Sequence, residues 1–259
     1  MVEALPHGTV RLEVTREPGG RIELDTVAVE EPLEIRIGGE PIAVTMRTPG
    51  HDEELALGFC VSEGIPATAA APPPDLVANV VDVEAGAFDR SRVQRSFYTS
   101  SSCGVCGKGA LEAVAVEAPR VESPLTVAAA LVAALPDRLR AGQGAFEVTG
   151  GLHATGLFDA EGALLCVRED VGRHNAMDKV IGWALVGRRL PLADSILCVS
   201  GRLSFELVQK AAMAGAPVLV GVGAPTSLAV SLAGELGLTL AGFARGSRVN
   251  VYAGESRVR

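Results

Sequence analysis

The stretch from Ser195 to Phe243 constrains the fold more than any other part of the chain. Ser195-Ile-Leu-Cys-Val-Ser200, Pro217-Val-Leu-Val-Gly-Val222 and Leu238-Thr-Leu-Ala-Gly-Phe243 are short, almost continuously apolar runs. Between them, residues 204–214 and 226–235 read as helices that end at Gly215 and Gly237. Strands without polar alternation must be covered on both faces. Strand–helix–strand–helix–strand therefore predicts a parallel sheet with helices packed on it. Ligands of such sheets bind beyond the carboxyl ends of the strands. Here those ends are Ser200-Gly201-Arg202, Gly223-Ala-Pro-Thr-Ser227 and Ala244-Arg245-Gly246-Ser247-Arg248. Backbone amides freed by glycine, hydroxyls and guanidinium forks suit phosphate or pyrophosphate. Tight turns and solvated charge explain each segment singly, but three in parallel favour an anionic ligand. No Gly-x-x-x-x-Gly-Lys-Ser/Thr or Gly-x-Gly-x-x-Gly occurs, so neither an NTPase loop nor a dinucleotide fingerprint is present.

The N-terminal part reads differently. Thr9-Val-Arg-Leu-Glu-Val-Thr15 alternates like a half-buried strand, and Arg21-Ile-Glu-Leu-Asp25 repeats it after Pro18-Gly-Gly20. Leu33-Glu-Ile-Arg-Ile37 and Pro41-Ile-Ala-Val-Thr-Met46 flank Gly38-Gly39-Glu40 as a hairpin. Thr48-Pro-Gly-His-Asp-Glu-Glu54 announces a helix over 53–63, with Asp52 as the expected cap and His51 as a turn residue. Residues 66–75 are rich in Pro and Ala and read as a linker between a β-rich portion (1–65) and an α/β core (76–254). Within the core, 76–83 and 92–98 read as strands. Ser123-Pro124 reads as the start of a helix that Pro136 should end or kink. Residues 146–170 read as two strands joined by Asp159-Ala-Glu-Gly162.

Two places concentrate chemistry. Ser100-Ser-Ser-Cys103-Gly-Val-Cys106-Gly-Lys108-Gly holds two of the five cysteines, three positions apart, just before a predicted helix over 110–117. A helix N-terminus and a lysine favour thiolate over thiol, and Gly/Ser neighbours leave sulfur accessible. A redox dithiol, half of a zinc site and a persulfide relay all fit this pattern. The remaining cysteines, Cys60, Cys166 and Cys198, lie singly in apolar runs and read as core residues. The second place is the strand-to-helix turn Glu169-Asp-Val-Gly-Arg173-His174-Asn175, continuing to Asp178 and Lys179. Seven polar side chains there exceed what a helix cap needs. His153, in Thr149-Gly-Gly-Leu-His153, reads equally well as a site residue or as a hydrogen-bonded strand histidine.

Composition limits the function classes. A net charge of −8 argues against bulk nucleic-acid binding. No apolar run reaches the length of a membrane span, and the first residues lack a signal-peptide pattern. A cytoplasmic, reducing location is expected, with no need for disulfides.

The motifs then add up to a resemblance. Glu31-Pro-Leu-Glu-Ile, Met46-Arg-Thr-Pro-Gly, Asp52-Glu-Glu-Leu-Ala-Leu-Gly-Phe59, Cys103-Gly-Val-Cys-Gly107, Thr149-Gly-Gly-Leu-His153, Arg168-Glu-Asp-Val-Gly-Arg-His-Asn-Ala-Met-Asp-Lys179, Ser200-Gly-Arg202 and Gly242-Phe-Ala-Arg occur in this order. Over residues 30–254 the chain resembles the formate dehydrogenase accessory sulfurtransferase family, FdhD. The resemblance implies an α/β fold with a cytidine-deaminase-like three-layer core, a mixed or parallel sheet and an added N-terminal β-rich portion. It implies a homodimer that takes sulfur from a cysteine desulfurase as a persulfide. The sulfur passes to the bis(molybdopterin guanine dinucleotide) molybdenum cofactor before that cofactor enters formate dehydrogenase. Cys103 maps to the persulfide cysteine, with Cys106 assisting. The cofactor-binding segment maps to Phe243, Ala244, Arg245, Gly246, Ser247 and Arg248. Ser200, Gly201, Arg202, His153, Arg173 and His174 are expected to complete the pocket, with GDP as a ligand mimic. A non-catalytic cofactor chaperone is the alternative. A zinc deaminase fits less well, because no Glu stands two residues after His153 and the cysteine pair precedes it.

Overall fold

A computed structural model of the chain describes residues 5–75, 77–89 and 118–259. The architecture is mixed α/β. Its centre is a six-stranded sheet in the order β12-β11-β10-β9-β7-β8. The three central strands, β9 (Ile196–Val199), β10 (Val218–Gly221) and β11 (Thr239–Arg245), run parallel, as the apolar runs predict. β7 (His153–Phe158), β8 (Leu164–Asp170) and β12 (Arg248–Ala253) are antiparallel to their neighbours. Alternate residues of β9 explain the double coverage. Leu197 and Val199 join the core formed with α4 (Arg173–Val186), α5 (Phe205–Met213) and α6 (Ser227–Leu236). Ile196 and Cys198 face the opposite core with α2 (Ala129–Ala141).

A second sheet, β4-β3-β6-β5, is built from β3 (Glu31–Ile37), β4 (Glu40–Arg47), β5 (Ala67–Ala71) and β6 (Val80–Ala85). The expected hairpin joins β3 to β4. Leu33, Ile35, Ile37, Val81 and Val83 bury one face of this sheet against α1 (Asp52–Ser62). The other side of α1 lies on α4 at very close range. A Cβ added at Gly58 would stand 1.8 Å from the Asp178 carbonyl oxygen, and one at Gly182 would stand 1.8 Å from that of Glu54. Arg168 seals the same seam through both Glu54 oxygens at 2.6 and 2.8 Å. A two-stranded ribbon, β1 (Thr9–Arg16) with β2 (Arg21–Ala28), completes the fold. Among the described residues no helix is long and apolar enough to cross a membrane.

Several local expectations are corrected. The Pro/Ala stretch read as a linker supplies β5, which pairs antiparallel with β6, because edge pairing satisfies its backbone. Asp52 does not cap α1. Buried Arg47 claims its carboxylate at 2.8 and 3.0 Å, and His51, in the left-handed region at φ 58°, occupies the N-cap position without a side-chain bond. Ser123 does not start α2. Its hydroxyl donates to the Ala193 carbonyl instead, and the helix begins at Ala129. Pro136 lies inside α2 rather than ending it, since Val132, Leu135 and Leu139 anchor the helix on both sides of the proline. Residues 146–149, expected as strand, instead belong to the short helix α3 (Gly144–Thr149), because the Glu169 carboxylate accepts from the Ala145 and Phe146 amides. The 92–98 strand and the 110–117 helix lie outside the described residues.

Candidate functional site

Topology gathers the site at one edge of the six-stranded sheet. β7 runs antiparallel to β9, so its first residue, His153, stands beside the carboxyl end of β9. β8 runs antiparallel to β7 and ends at Asp170, opposite His153. The chain therefore enters α4 at this same edge, which places Arg173 and His174 there. The strand ends are locked to one another. Ser200 donates its amide to Ala154 O (2.9 Å), and its hydroxyl accepts from the Ala154 amide (2.9 Å). The Gly223 amide donates to Gly201 O (3.0 Å) and the Phe243 amide to Gly223 O (3.2 Å). His153, Gly201, Gly223 and Phe243 thus form one row.

Gly223 is the closely packed glycine of this row. A Cβ on Gly223 would fall 3.1 Å from Gly201 O and from the Arg202 backbone, while one on Gly201 would face the His153 ring at 3.5 Å. Phe243 takes the left-handed region at φ 51° and leaves its ring half exposed. Next to it, Arg245, Gly246, Ser247 and Arg248 make the exposed turn between β11 and β12, with Arg245 paired to Arg248. The third predicted loop is thus a tight hairpin turn. Ala244 is buried with Val218 and Val220 and is itself 1% exposed, so it lies beneath the open edge rather than on it.

The row is electropositive. Burial lowers the pKa of His153, and Arg173, His174 and Arg202 lower it further, against a weaker opposing pull from Asp170. His153 is therefore a neutral hydrogen-bonding group at neutral pH. Arg173 Nε is buried and has no hydrogen-bond partner among the described residues. Such a donor is costly to leave unmet, and it suits an anionic oxygen. His174 Nε2 lies 2.9 Å from Glu206 Oε2. This contact, with smaller contributions from the Ser204 hydrogen bond and then the field of Arg173, holds the Glu206 carboxyl below its ordinary range against the effect of burial. Sequence reasoning missed Glu206 and its neighbour Ser204. Their only signal was an acid two residues past a serine at a helix start, which reads as ordinary capping.

The strand-to-helix turn splits into two groups. Arg173 and His174 face the site edge. Glu169 caps α3, while Asp170, Asn175, Asp178 and Lys179 bind other elements. Lys179 Nζ donates to Thr48 O (2.8 Å), Asn175 Nδ2 to Met46 O (2.7 Å), and Lys210 and Ser62 both donate to Asp178 at 2.8 Å. These residues tie α4 to β4, α1 and α5 rather than line a pocket. Cys103 and Cys106 lie outside the described residues.

Residues 28–259 match the model of the FdhD/NarQ family. The chain belongs to the FdhD/NarQ family. Among FdhD relatives, the protein named sulfur carrier protein FdhD from Streptomyces coelicolor is 52% identical, over 96% of this chain and 95% of its own length. Its namesake from Mycobacterium tuberculosis is 51% identical, over 90% and 92%. A crystal structure from Desulfotalea psychrophila, described as a proposed formate dehydrogenase accessory protein, superposes with a TM-score of 0.78 at 25% identity. The match covers 97% of this chain and all of that one. The FdhD/NarQ match includes every element of the site row.

Proposed function

We propose that this protein is a sulfur carrier for formate dehydrogenase maturation. In this reading Cys103 accepts sulfur from a cysteine desulfurase. The Cys103 thiolate takes the terminal sulfur of the desulfurase persulfide, whose own cysteine leaves as thiolate. The carried sulfur then passes to the bis(molybdopterin guanine dinucleotide) cofactor, the substrate: its S–S bond to Cys103 breaks, Cys103 leaves as thiolate, and the reduced cofactor supplies the two electrons that take the sulfur to the sulfide level, with Cys106 assisting. The protein acts in the cytoplasm as a homodimer and hands the cofactor to formate dehydrogenase. The exposed apolar residues of the β1–β2 ribbon, Ile22 at 71% and Leu24 at 64%, support an interface role for that arm.

The observation that carries the cofactor half is the row of strand ends flanked by Arg173, His174, Arg202, Arg245 and Arg248. Its guanidinium groups and the unmet Arg173 Nε suit a ligand with pyrophosphates. The sulfur half rests on the Cys103/Cys106 pair and on relatives named as sulfur carriers. Intact mass after incubation with a cysteine desulfurase and cysteine tests it. One added sulfur, removed by thiols and absent in Cys103→Ala, is expected. An unmodified wild type would leave a cofactor chaperone. GDP binding tests the pocket: Arg245→Ala should weaken it, and unchanged affinity would sink that assignment.

A further inference from the structure

Glu206 stands in the first turn of α5, next to the N-terminal turn of α4. Its Oε2 is 2.9 Å from His174 Nε2. The Ser204 hydroxyl, at the N-cap of α5, donates to the same carboxylate oxygen at 3.3 Å and lies 3.4 Å from His174 Nε2. A carboxylate against one ring nitrogen makes that nitrogen the N–H donor and fixes both tautomer and ring orientation. The acid–base atom is then Nδ1, which no group among the described residues hydrogen-bonds.

We propose that Glu206 is a positioning residue, holding His174 so that Nδ1 serves the site row as a proton-dependent donor to an anionic ligand. This rests on the anion-binding reading of the row. Arginine offers charge at every physiological pH, whereas imidazole offers it only when protonated. The other charged or titratable groups at this edge are Arg173 on the same turn, Arg202 after β9, His153 on β7 and Asp170 at the end of β8.

The test is GDP binding by calorimetry from about pH 5.5 to about pH 8.5, the range in which histidine titrates. GDP itself titrates there, so His174→Gln supplies the baseline. Over this range the wild type should lose about tenfold more affinity than that baseline, the scale of one charge-assisted hydrogen bond. Glu206→Gln keeps an acceptor but removes the charge, so the excess pH dependence should move to lower pH. Glu206→Asp should restore it. A Glu206→Gln profile superimposable on wild type overturns the proposal and leaves anion binding intact. A wild type that binds no GDP at any pH overturns both. Nitrogen-15 shifts of the wild-type His174 ring give a second readout that needs no variant. The Nε2–H tautomer is expected, and the Nδ1–H tautomer refutes the positioning role by itself.

Discussion

Lys179 Nζ lies 2.7 Å from Asp170 Oδ2, with the two side chains 1% and 0% exposed. The pair does not stand alone. Asp170 also accepts from the Thr48 amide (3.1 Å), the Gly172 amide (2.8 Å) and Asn175 Nδ2 (3.0 Å), and Lys179 donates to Thr48 O (2.8 Å). It pins the segment after β4 onto the site helix α4. Removing one partner strands a buried charge, which costs about 3–5 kcal/mol. Asp170→Asn and Lys179→Met should each destabilise by that order in urea unfolding, and the double variant by less than their sum. Strict additivity would show that the pair is not coupled.

The α1–α4 crossing depends on two glycines. Alanine is the better helix former by about 1 kcal/mol, yet its Cβ at Gly58 or Gly182 would collide with backbone at 1.8 Å. Gly58→Ala and Gly182→Ala should each lower stability by about 1–3 kcal/mol or more, the scale of overpacking. A raised melting temperature for either would contradict this crossing.

His153 makes stability sensitive to acid. Its pKa in the folded chain lies below the ordinary 6.5, chiefly because of burial. The unfolded chain then binds the proton first, so the contribution is complete above pH 6.5 and is lost as pH falls from there toward the folded value. His153→Asn should flatten the stability profile in that window while leaving its alkaline side unchanged. An unaltered acid slope would assign the loss to other groups.

Three cysteines should be silent toward alkylation. Cys60, Cys166 and Cys198 are buried, and burial raises the pKa of all three, to about 12 for Cys60 and about 11 for Cys166. Thiolate is the reactive form. Native protein treated with iodoacetamide at pH 8 should therefore take at most two labels quickly, on Cys103 and Cys106, as read by peptide mapping. Rapid labelling of Cys198 would mean that the core opens.

Much of the fold was legible. The parallel run β9–α5–β10–α6–β11 could be read because each element carries its own burial pattern, and Gly215 and Gly237 mark the helix ends locally. The β3–β4 hairpin was legible for the same reason. The site edge was legible in part. Ser200-Gly-Arg202, Arg173 and His174 were expected at strand ends, and the sheet places them there. Of the seven polar residues concentrated at 169–179, five bind other elements, which local sequence could not show.

The sequence by itself determined the periodic elements, the parallel core and the motif set that marks the family, because those signals lie within a few residues of one another. Only the tertiary structure decided which polar residues tie elements together and which stand at the strand-end edge of the six-stranded sheet. Glu169 caps a helix more than twenty residues earlier in the chain, Asp52 belongs to Arg47, and Glu206 meets a histidine on another helix. A carboxylate looks the same in each setting until the fold supplies its partner, since hydrogen bonds and ion pairs depend on distance in space.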